Sequence, residues 1–414
     1  MALLDRIRAN DKSGLFSFSN VFAHYSTGIL PLDYVNAFKL TYRDPDGKVK
    51  TDIVPGVIGG RFITIIGLSG SGKTTLADQI AWNIIRPFTD GLIVHVDAEH
   101  TMIKARIYDL TDMNQDDERF ILNDEDTYIE DVMTQIDMVC KAKEAAGDEA
   151  KYEIDGEWFG KPGQTVKVYY PTVFIIDSLW AFTSKDTKES ELEGQMSTNR
   201  EVGKISQFYQ KQTSKLAKYN ITVIATNHIK CKIEVNPYAV TKPQLMMLKQ
   251  DESLPRGQAP VYSASTVLRL NPAGLSKGYT KDEWGFNGFK CCAQIAKTKT
   301  NFIGGEVNLV FREDIGYDPI YSILQFAYDC DIILGRNPNL KIKGAEDYNF
   351  SKKSFGQKFT TDAAFRVAVF KAIKPYLEAI AGCKESTDEE RQNYISMAKL
   401  SEDEIPKEPV NEDK

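Results

Sequence analysis

Apolar runs of strand length alternate along this chain with segments in which apolar residues have helical spacing. The runs at residues 62–66, 92–96 and 173–176 are rich in Ile and Val and are interrupted by few polar residues. Such runs are typical of strands that are buried on both faces of a parallel sheet. The segments at 75–88 and 127–146 have the spacing of helices. The pattern therefore predicts an α/β arrangement around a buried parallel sheet.

Smaller elements surround this predicted core. Asp-Gly pairs between strand-like residues predict surface hairpins near residues 41–52 and 150–165. A helical pattern extends over residues 318–382. Further strands are predicted at residues 221–225, 267–270 and 289–295. The two hairpins lie between core elements, so we interpret them as insertions at the surface.

The two ends of the chain differ from the core in composition. Residues 1–25 form a short arm that is too small to bury a core of its own, so we expect it to pack on a neighbouring subunit. Residues 384–414 are rich in Glu, Asp, Lys and Ser and contain few large apolar residues. That composition predicts a disordered acidic tail.

Composition limits the classes of partner and compartment. With 414 residues, 42% of them hydrophobic, the chain can bury a large core. Its net charge of -7 gives no support for a general affinity for polyanions, so any nucleic-acid site must be local. The six cysteines have no C-x-x-C spacing and are expected to be reduced thiols. We find no signal-peptide core and no run of about 18 apolar residues, and expect a cytoplasmic protein with no membrane partner.

The strongest chemical signal is a G-x-x-x-x-G-K-T match at residues 67–74, directly after the apolar run at 62–66. Its glycines let consecutive N–H groups point inward at the positive end of the following helix, where a nucleotide triphosphate fits. Lys73 would neutralise the β- and γ-phosphates, and the Thr74 hydroxyl would ligate Mg²⁺. The predicted phosphate-binding residues are Gly67, Ser69, Gly70, Ser71, Gly72 and Lys73. ATP and Mg²⁺ are therefore the expected cofactors.

Acidic residues follow two of the predicted strands. Glu99 comes just after the strand that ends at Asp97, and Asp177 ends the run at 173–176. In an open α/β sheet, ligands bind beyond the carboxyl ends of the strands. Glu99 could orient and deprotonate the water that attacks the γ-phosphate, although a solvated loop acid is the alternative. Asp177 would hold Mg²⁺ through its water shell.

A local basic zone lies in the second half of the predicted core. Residues 204–232 contain several lysines and no carboxylate, and Arg200 lies just upstream. This zone suits a nucleic-acid backbone, with Lys204, Lys230 and Lys232 as candidate contacts, while a solvated helix face is the alternative. The long, proline-containing stretch after residue 230 has the length of a functional or disordered loop.

Two more polar features occur at predicted strand ends. His228 follows the strand at 221–225 and could sense the γ-phosphate. Lys297 and Lys299 stand two positions apart on an extended segment, so their side chains point the same way and could reach one anion together.

In this order the motifs resemble those of the RecA recombinases, and most closely the phage UvsX-type branch. The similarity covers about residues 25–335. His228 occupies the strand-end sensor position, as in the UvsX-type branch, where other members have Gln. Residues 26–33 match the family's S-T-G-x-x-x-L-D segment, residues 96–100 (V-D-A-E-H here) are similar to its I-D-A-E-H, and residues 176–178 (I-D-S here) to its V-D-S. Residues 257–264 resemble the end of the second DNA loop, and residues 297–299 resemble a basic pair.

The resemblance implies a RecA-like P-loop ATPase core over residues 26–335, with a twisted, mainly parallel sheet flanked by helices. Residues 1–25 would be the N-terminal assembly arm, and residues 336–383 a small helical C-terminal region. The implied function is ATP-dependent strand exchange in homologous recombination and repair, by a helical filament that holds ATP between subunits. The implied partners are single-stranded and double-stranded DNA and further copies of the chain, together with single-strand-binding and mediator proteins. A UvsX-type protein would act in the cytoplasm of a phage-infected cell.

The resemblance also implies roles for single residues. Glu99 would activate water, His228 would report the γ-phosphate, and Lys297 with Lys299 would act on a neighbouring subunit's ATP. Thr75 would join the nucleotide site, and Arg106 would stack on the adenine, with Tyr108 as the alternative. The DNA-binding loops would lie near residues 183–203 and 229–258, the second including Arg256 and Gly257.

Two alternatives remain at the level of sequence. A hexameric helicase motor with the same core fold would unwind forked DNA without a homologous strand. A filament-forming DNA-binding protein could instead use ATP as a conformational switch and leave strand exchange to a partner.

Overall fold

The computed structural model describes residues 21–44, 46–125, 127–159, 161, 163–185, 195–231, 248–249, 251–273, 278–299 and 304–382. The expected acidic tail lies outside the described residues, as do most of the N-terminal arm, the greater part of the second expected DNA loop and about half of the first.

The described residues contain both strands and helices throughout the chain. The strands are β1 His24–Tyr25, β2 Phe38–Arg43, β3 Val49–Val54, β4 Val57–Ile58, β5 Phe62–Gly67, β6 Leu92–Asp97, β7 Phe120–Asn123, β8 Lys151–Asp155, β9 Thr165–Tyr169, β10 Thr172–Asp177, β11 Ile221–His228, β12 Lys230–Cys231, β13 Glu252–Ser253, β14 Thr266–Pro272, β15 Gly288–Thr298, β16 Glu306–Arg312, β17 Gly316–Asp318, β18 Ile333–Arg336, β19 Asn339–Ile342 and β20 Ala345–Phe350. The α-helices are α1 Leu30–Val35, α2 Lys73–Ile85, α3 Lys104–Thr111, α4 Ile129–Ala146, α5 Gln195–Tyr219, α6 Ala259–Ser263, α7 Lys281–Trp284, α8 Pro319–Asp329, α9 Phe355–Thr361 and α10 Ala363–Ile380.

Within the described part of the chain, a sheet of nine strands forms the centre of the fold, in the order β17-β16-β15-β14-β5-β11-β10-β6-β7. The strands from β14 to β7 pair in parallel. The strands from β17 to β14 pair antiparallel and extend one side of the sheet. The mainly parallel α/β fold predicted from the apolar runs is therefore confirmed.

The central strands are buried on both faces, which explains their nearly continuous apolar character. In β5, Ile63 and Ile65 belong to the hydrophobic cluster that contains α2. Phe62 and Ile66 of the same strand belong to the cluster that contains α4 and α5. Alternate side chains of one strand thus reach opposite faces of the sheet, and helices cover both faces.

Both predicted hairpins are present. The strands β2 and β3 pair antiparallel from Phe38–Val54 to Arg43–Val49. The strands β8 and β9 also pair antiparallel, but a 3₁₀ turn and further residues separate them, so the connection is longer than a two-residue Asp-Gly turn. The indole Nε1 of Trp158 donates a 3.0 Å hydrogen bond to Asp52 and so connects the two hairpins.

The region after residue 332 differs from the small helical region expected from sequence. Helices α9 and α10 are present, but β18, β19 and β20 form a three-stranded antiparallel sheet before them. These strands are short and contain many exposed residues, so they lack the apolar run that marks the central strands. Their turn signals, Asn337-Pro338 and Lys343-Gly344, were the only local indication of the sheet.

Among the described residues, no helix has the length and apolar character needed to cross a membrane.

A buried lysine connects α4 to the end of α5. The ammonium of Lys143 donates hydrogen bonds to the carbonyls of Tyr170 and Tyr219, at 2.7 Å and 2.8 Å. Tyr219 is the last residue of α5, so the lysine satisfies a carbonyl that has no partner within the helix. Burial lowers the pKa of Lys143 to about 7.

We expect this lysine to make stability rise with pH between about pH 7 and pH 9. In that range the unfolded lysine still binds a proton that the folded one has released. In Lys143→Met, the slope of the unfolding free energy against pH should fall by about 1 kcal/mol per pH unit. Urea unfolding at several pH values measures the slope. Lys141→Met, on the exposed side of the same helix, should leave it unchanged, and an unchanged slope in Lys143→Met would contradict the assignment.

Candidate nucleotide-binding site

The carboxyl ends of neighbouring parallel strands bring the predicted site residues to one edge of the sheet. In the strand register, Asp177 of β10 pairs with Asp97 of β6, and His228 of β11 pairs with Gly67 of β5. The four strands therefore end at nearly the same level. This edge is where ligands bind in open α/β sheets.

The conformation of the loop between β5 and α2 depends on glycines and on a contact with Tyr317 of β17. Gly72 precedes α2 with a φ of +79°, and a Cβ at this position would lie 2.9 Å from the Tyr317 hydroxyl. That hydroxyl donates a 2.9 Å hydrogen bond to the Ser71 carbonyl. Gly70 also has a positive φ, and a Cβ there would meet open space. Tyr317 thus holds the part of the loop at Ser71 and Gly72, while residues 68–70 are exposed.

Two side chains in this loop have properties that suit an anion. The Ser71 hydroxyl is buried and has no hydrogen-bond partner among the described residues. The Lys73 ammonium donates a 2.9 Å hydrogen bond to the Leu68 carbonyl, across the loop. Burial lowers the pKa of Lys73, and the charges of Asp177 and Glu99 partly offset this effect. The loop therefore places a hydroxyl and a cation at the start of a helix, the arrangement that binds phosphate groups.

The predicted metal ligands are adjacent. The Thr74 hydroxyl donates a 2.5 Å hydrogen bond to Asp177 Oδ2, and the Thr226 hydroxyl donates one of 2.5 Å to Asp177 Oδ1. A hydroxyl and a carboxylate side by side fit Mg²⁺, which keeps several waters and takes few protein ligands. Thr226 holds the carboxylate in place from the neighbouring strand.

Glu99 lies at the centre of a hydrogen-bond network. Its Oε1 accepts a hydrogen bond from the Ser178 hydroxyl and lies 3.1 Å from His228 Nε2. His228 Nδ1 lies 3.4 Å from the Lys73 ammonium. The imidazole of His228 therefore connects Glu99 to Lys73. Burial raises the pKa of Glu99, but the hydrogen bonds from Ser178 and His228, with the charge of Lys73, lower it overall, so the carboxylate is ionised at neutral pH.

Ser178 belongs to the motif at residues 176–178, but no role is predicted for it from the sequence. The serine follows Asp177 at the end of β10 and contacts Glu99, which is 79 positions away in sequence. The contact forms because β10 and β6 are neighbours in the sheet. The single available signal was the position of Ser178 immediately after a predicted strand-end carboxylate.

Arg106 and Thr75 both contact residues 313–316, the segment that leads into β17. The guanidinium of Arg106 donates hydrogen bonds to the carbonyls of Asp314 and Glu313, at 3.1 Å and 2.9 Å. A Cβ at Gly316 would lie 2.5 Å from Thr75 Cγ2. Both residues therefore adjoin the turn before β17, and Arg106 is partly exposed there. The alternative residue, Tyr108, hydrogen-bonds the Gln115 carbonyl instead.

Lys297 and Lys299 do not reach the phosphate loop of their own chain. In the sheet register, Lys297 of β15 pairs with Val267 of β14, and Val267 pairs with Thr64 of β5. Lys297 is therefore level with the amino-terminal half of β5, whereas the phosphate loop follows its carboxyl end. The Lys297 ammonium donates to the carbonyls of Val261, Tyr262 and Ala264, at 2.7, 2.6 and 3.0 Å. It therefore caps the end of α6 in this chain.

Two of the predicted DNA contacts, Lys204 and Arg256, pair with carboxylates of the same chain. Lys204 lies 3.2 Å from Glu130 of α4, and Arg256 forms an ion pair with Glu201 that is largely buried. Lys215 and Lys218 of the basic zone also pair with α4 carboxylates, Asp137 and Glu144. The basic zone itself contains no acidic residue, but α4 packs against α5 and brings carboxylates to its lysines. A paired cation attracts a phosphate less strongly than the sequence suggested.

The other predicted DNA contacts lie at the borders of the loops. Arg200 and Lys230 are exposed. Gly257 has a φ of +82°, and a Cβ there would lie 2.8 Å from Val202 of α5. Lys232 lies outside the described residues.

The fold and site define a mainly parallel α/β protein with a candidate phosphate site at its strand ends, consistent with a RecA-like core. The chain is similar to the protein RecA of Aquifex pyrophilus, with 24% identity over 349 residues, or 82% of this chain and 83% of the relative. It is 25% identical to the RecA of Chlamydia muridarum over 321 residues, 75% of this chain and 73% of the relative. The RecA of Porphyromonas gingivalis is 29% identical over 207 residues, about half of either chain. No model of a protein family matches the chain. These similarities support the resemblance to RecA recombinases.

Proposed function

We propose that this protein is an ATP-dependent recombinase of the RecA type, closest to the UvsX-type branch, that forms helical filaments on single-stranded DNA and exchanges strands with a homologous duplex. The observation that carries the proposal is the chain of contacts from Ser178 through Glu99 and His228 to Lys73. These residues come from four separate segments of the sequence. Similarity to RecA proteins over most of the chain supports the same reading.

In this proposal each contact has a chemical task. Gly67, the loop amides and Lys73 bind the phosphates of ATP, and Arg106 flanks the adenine. Mg²⁺, held by Thr74 and Asp177, would neutralise charge that develops on the phosphates. Glu99 orients the attacking water and accepts its proton. His228 contacts both Glu99 and Lys73, so a change at the γ-phosphate reaches β11 and the second loop that follows it.

The position of Lys297 and Lys299 supports an assembly of subunits. Because Lys297 lies level with the amino-terminal half of β5, away from the phosphate loop of its own chain, the proposal has these lysines meet the ATP of a neighbouring subunit. A contact between two different surfaces of the same chain generates a filament when its rotation does not close into a ring. DNA that aligns the subunits would then complete each ATP site with the neighbour's lysines, which are donors to the transferred phosphoryl group.

Lys297→Ala should suppress DNA-stimulated ATP hydrolysis far more than ATP binding. Removal of one preorganised donor to a developing negative charge typically costs about 10²-fold in turnover. The measurement is steady-state ATP hydrolysis with saturating single-stranded DNA, beside nucleotide binding without DNA. Lys290→Ala, on the same strand but without an assigned role, is the matched control.

Lys297 also caps α6 within its own chain, so the variant's thermal unfolding is measured in parallel. Reduced DNA stimulation with normal ATP binding and a folded protein is the expected combination. Full stimulation in Lys297→Ala would refute the action of this lysine across subunits.

The partners proposed for this activity are single-stranded DNA, a homologous duplex and further copies of the chain, with single-strand-binding or mediator proteins as accessories. The reaction would take place in the cytoplasm, and for a UvsX-type protein in a phage-infected cell.

Joint-molecule formation tests the proposed function. Circular single-stranded DNA is mixed with a homologous linear duplex, the protein, ATP and Mg²⁺, and a heterologous duplex serves as the control. We expect joint molecules only with the homologous duplex and only with ATP. Efficient unwinding of a forked duplex without any homologous strand would contradict the recombinase proposal, and DNA binding without joint molecules would favour the ATP switch.

A further inference from the structure

Trp180 is an exposed aromatic residue at the point where the candidate catalytic edge meets the two loop regions. It is 41% exposed, whereas Trp82 and Trp284 are buried. It lies three residues after Asp177 and two after Ser178, the serine that contacts Glu99. None of the hydrogen bonds described for the candidate ATP site involves the indole ring.

Cations from the two borders of the second loop region meet the Trp180 ring. The Lys230 ammonium lies 3.0 Å from the ring centroid, and the Arg256 guanidinium carbon lies 5.6 Å from it. Arg256 Nε also donates a 3.1 Å hydrogen bond to the Trp180 carbonyl. The ring thus carries two cation–π contacts, which attract aromatic and anionic groups to one place.

The two cations differ in how firmly they are held. Arg256 is paired with Glu201, and their side chains are 13% and 8% exposed. Its charge is therefore compensated and its position fixed. Lys230 is exposed. Because a cation–π contact at an exposed site is weak, a ligand can displace Lys230 from the ring face. Arg256, fixed by Glu201, holds the Trp180 backbone through its hydrogen bond to the carbonyl.

We propose that Trp180 is a stacking platform for a base of single-stranded DNA, with Lys230 moving from the ring to the adjoining phosphate. Base stacking on an aromatic side chain and a lysine at the backbone are the two components of single-strand recognition. A duplex hides its base faces, so the ring selects unpaired strands. The proposal rests on the proposed function and adds to it the residue that receives the base.

The site also connects DNA to the ATP chemistry by a short path. Ser178 and Trp180 lie in the same turn after β10, and the Ala181 amide donates a 3.1 Å hydrogen bond to the Ser178 carbonyl. A base on Trp180 therefore restrains the segment that holds the Ser178 hydroxyl on Glu99.

Intrinsic tryptophan fluorescence tests the proposal directly. The protein is titrated with a dT oligonucleotide, and binding is followed independently by the polarisation of a labelled oligonucleotide of the same sequence. We expect the dT oligonucleotide to quench the fluorescence. An abasic deoxyribose-phosphate oligomer of equal length should bind through its charges at low salt without quenching.

Variants assign the signal to one residue. Trp180→Phe keeps an aromatic ring, so it should lose most of the quenching while retaining affinity within about 3-fold. Trp180→Ala should weaken binding by about 10-fold or more, as expected for one lost stacking contact. Trp158→Phe, in the β8–β9 hairpin at the opposite end of β10, should keep both quenching and affinity.

Two outcomes overturn different parts of the account. Binding with quenching that is unchanged in Trp180→Phe, or equal quenching by the abasic oligomer, refutes the stacking platform and leaves the proposed function intact. Absence of any binding to the labelled oligonucleotide refutes both the platform and the proposed recombinase.

Discussion

Glu99→Gln is expected to bind ATP and single-stranded DNA normally but to turn ATP over about 10²-fold to 10⁴-fold more slowly. The substitution keeps the shape of the side chain and an oxygen that can accept from Ser178, but it removes the basicity that proton transfer needs. The pKa of Glu99 is lowered overall, so the side chain is an ionised carboxylate at neutral pH and has a free site for the proton of the water. Lys73, which contacts the same network, keeps its phosphate-binding position.

Single-turnover hydrolysis and equilibrium nucleotide binding separate the two effects. Glu118→Gln makes the same chemical change at an exposed position and should leave both unchanged. Turnover in Glu99→Gln that equals that of the unmodified protein would remove Glu99 as the base.

Arg269→Met is expected to destabilise the protein by about 3–5 kcal/mol. The guanidinium donates two hydrogen bonds to the Glu252 carboxylate, at 2.7 Å and 2.8 Å, and both side chains are 8% exposed. Loss of the arginine leaves a buried carboxylate without its cation. Because Glu252 lies at the end of the second loop region and Arg269 in the central sheet, the pair also anchors that loop to the core.

Urea unfolding measures the loss, and two further variants identify its cause. Adding Glu252→Leu to Arg269→Met should recover most of the stability, since the uncompensated charge is then absent. Arg86→Met removes an arginine from an exposed pair with Asp112 and should cost about 1 kcal/mol or less. If the double variant were as unstable as Arg269→Met, the explanation by a buried charge would fail.

The central sheet was predictable because its strands are buried on both faces. The runs at 62–66, 92–96 and 173–176 all lie within parallel strands of the structure. The adjacency of Thr74 and Asp177 also followed, because parallel strands end at one edge. These inferences depend on local sequence and a general rule of topology.

Contacts between distant segments were not predictable in the same way. The lysines of α5 seemed unopposed because the acids that pair with them belong to α4. The role of Lys297 as a cap on α6 depends on sheet register, and the contact of Ser178 with Glu99 depends on strand order. The small sheet after residue 332 has short strands with many exposed residues, so hydrophobic periodicity carried little information about it.

The most direct test of the account is ATP hydrolysis by the purified protein with and without single-stranded DNA, at several protein concentrations and salt concentrations. Its central claim is that each ATP site is completed by a neighbouring subunit on DNA. We predict strong stimulation by DNA that is cooperative in protein concentration and decreases with salt. Equal turnover with and without DNA at every protein concentration would contradict the claim, because the site would then be complete without assembly on DNA.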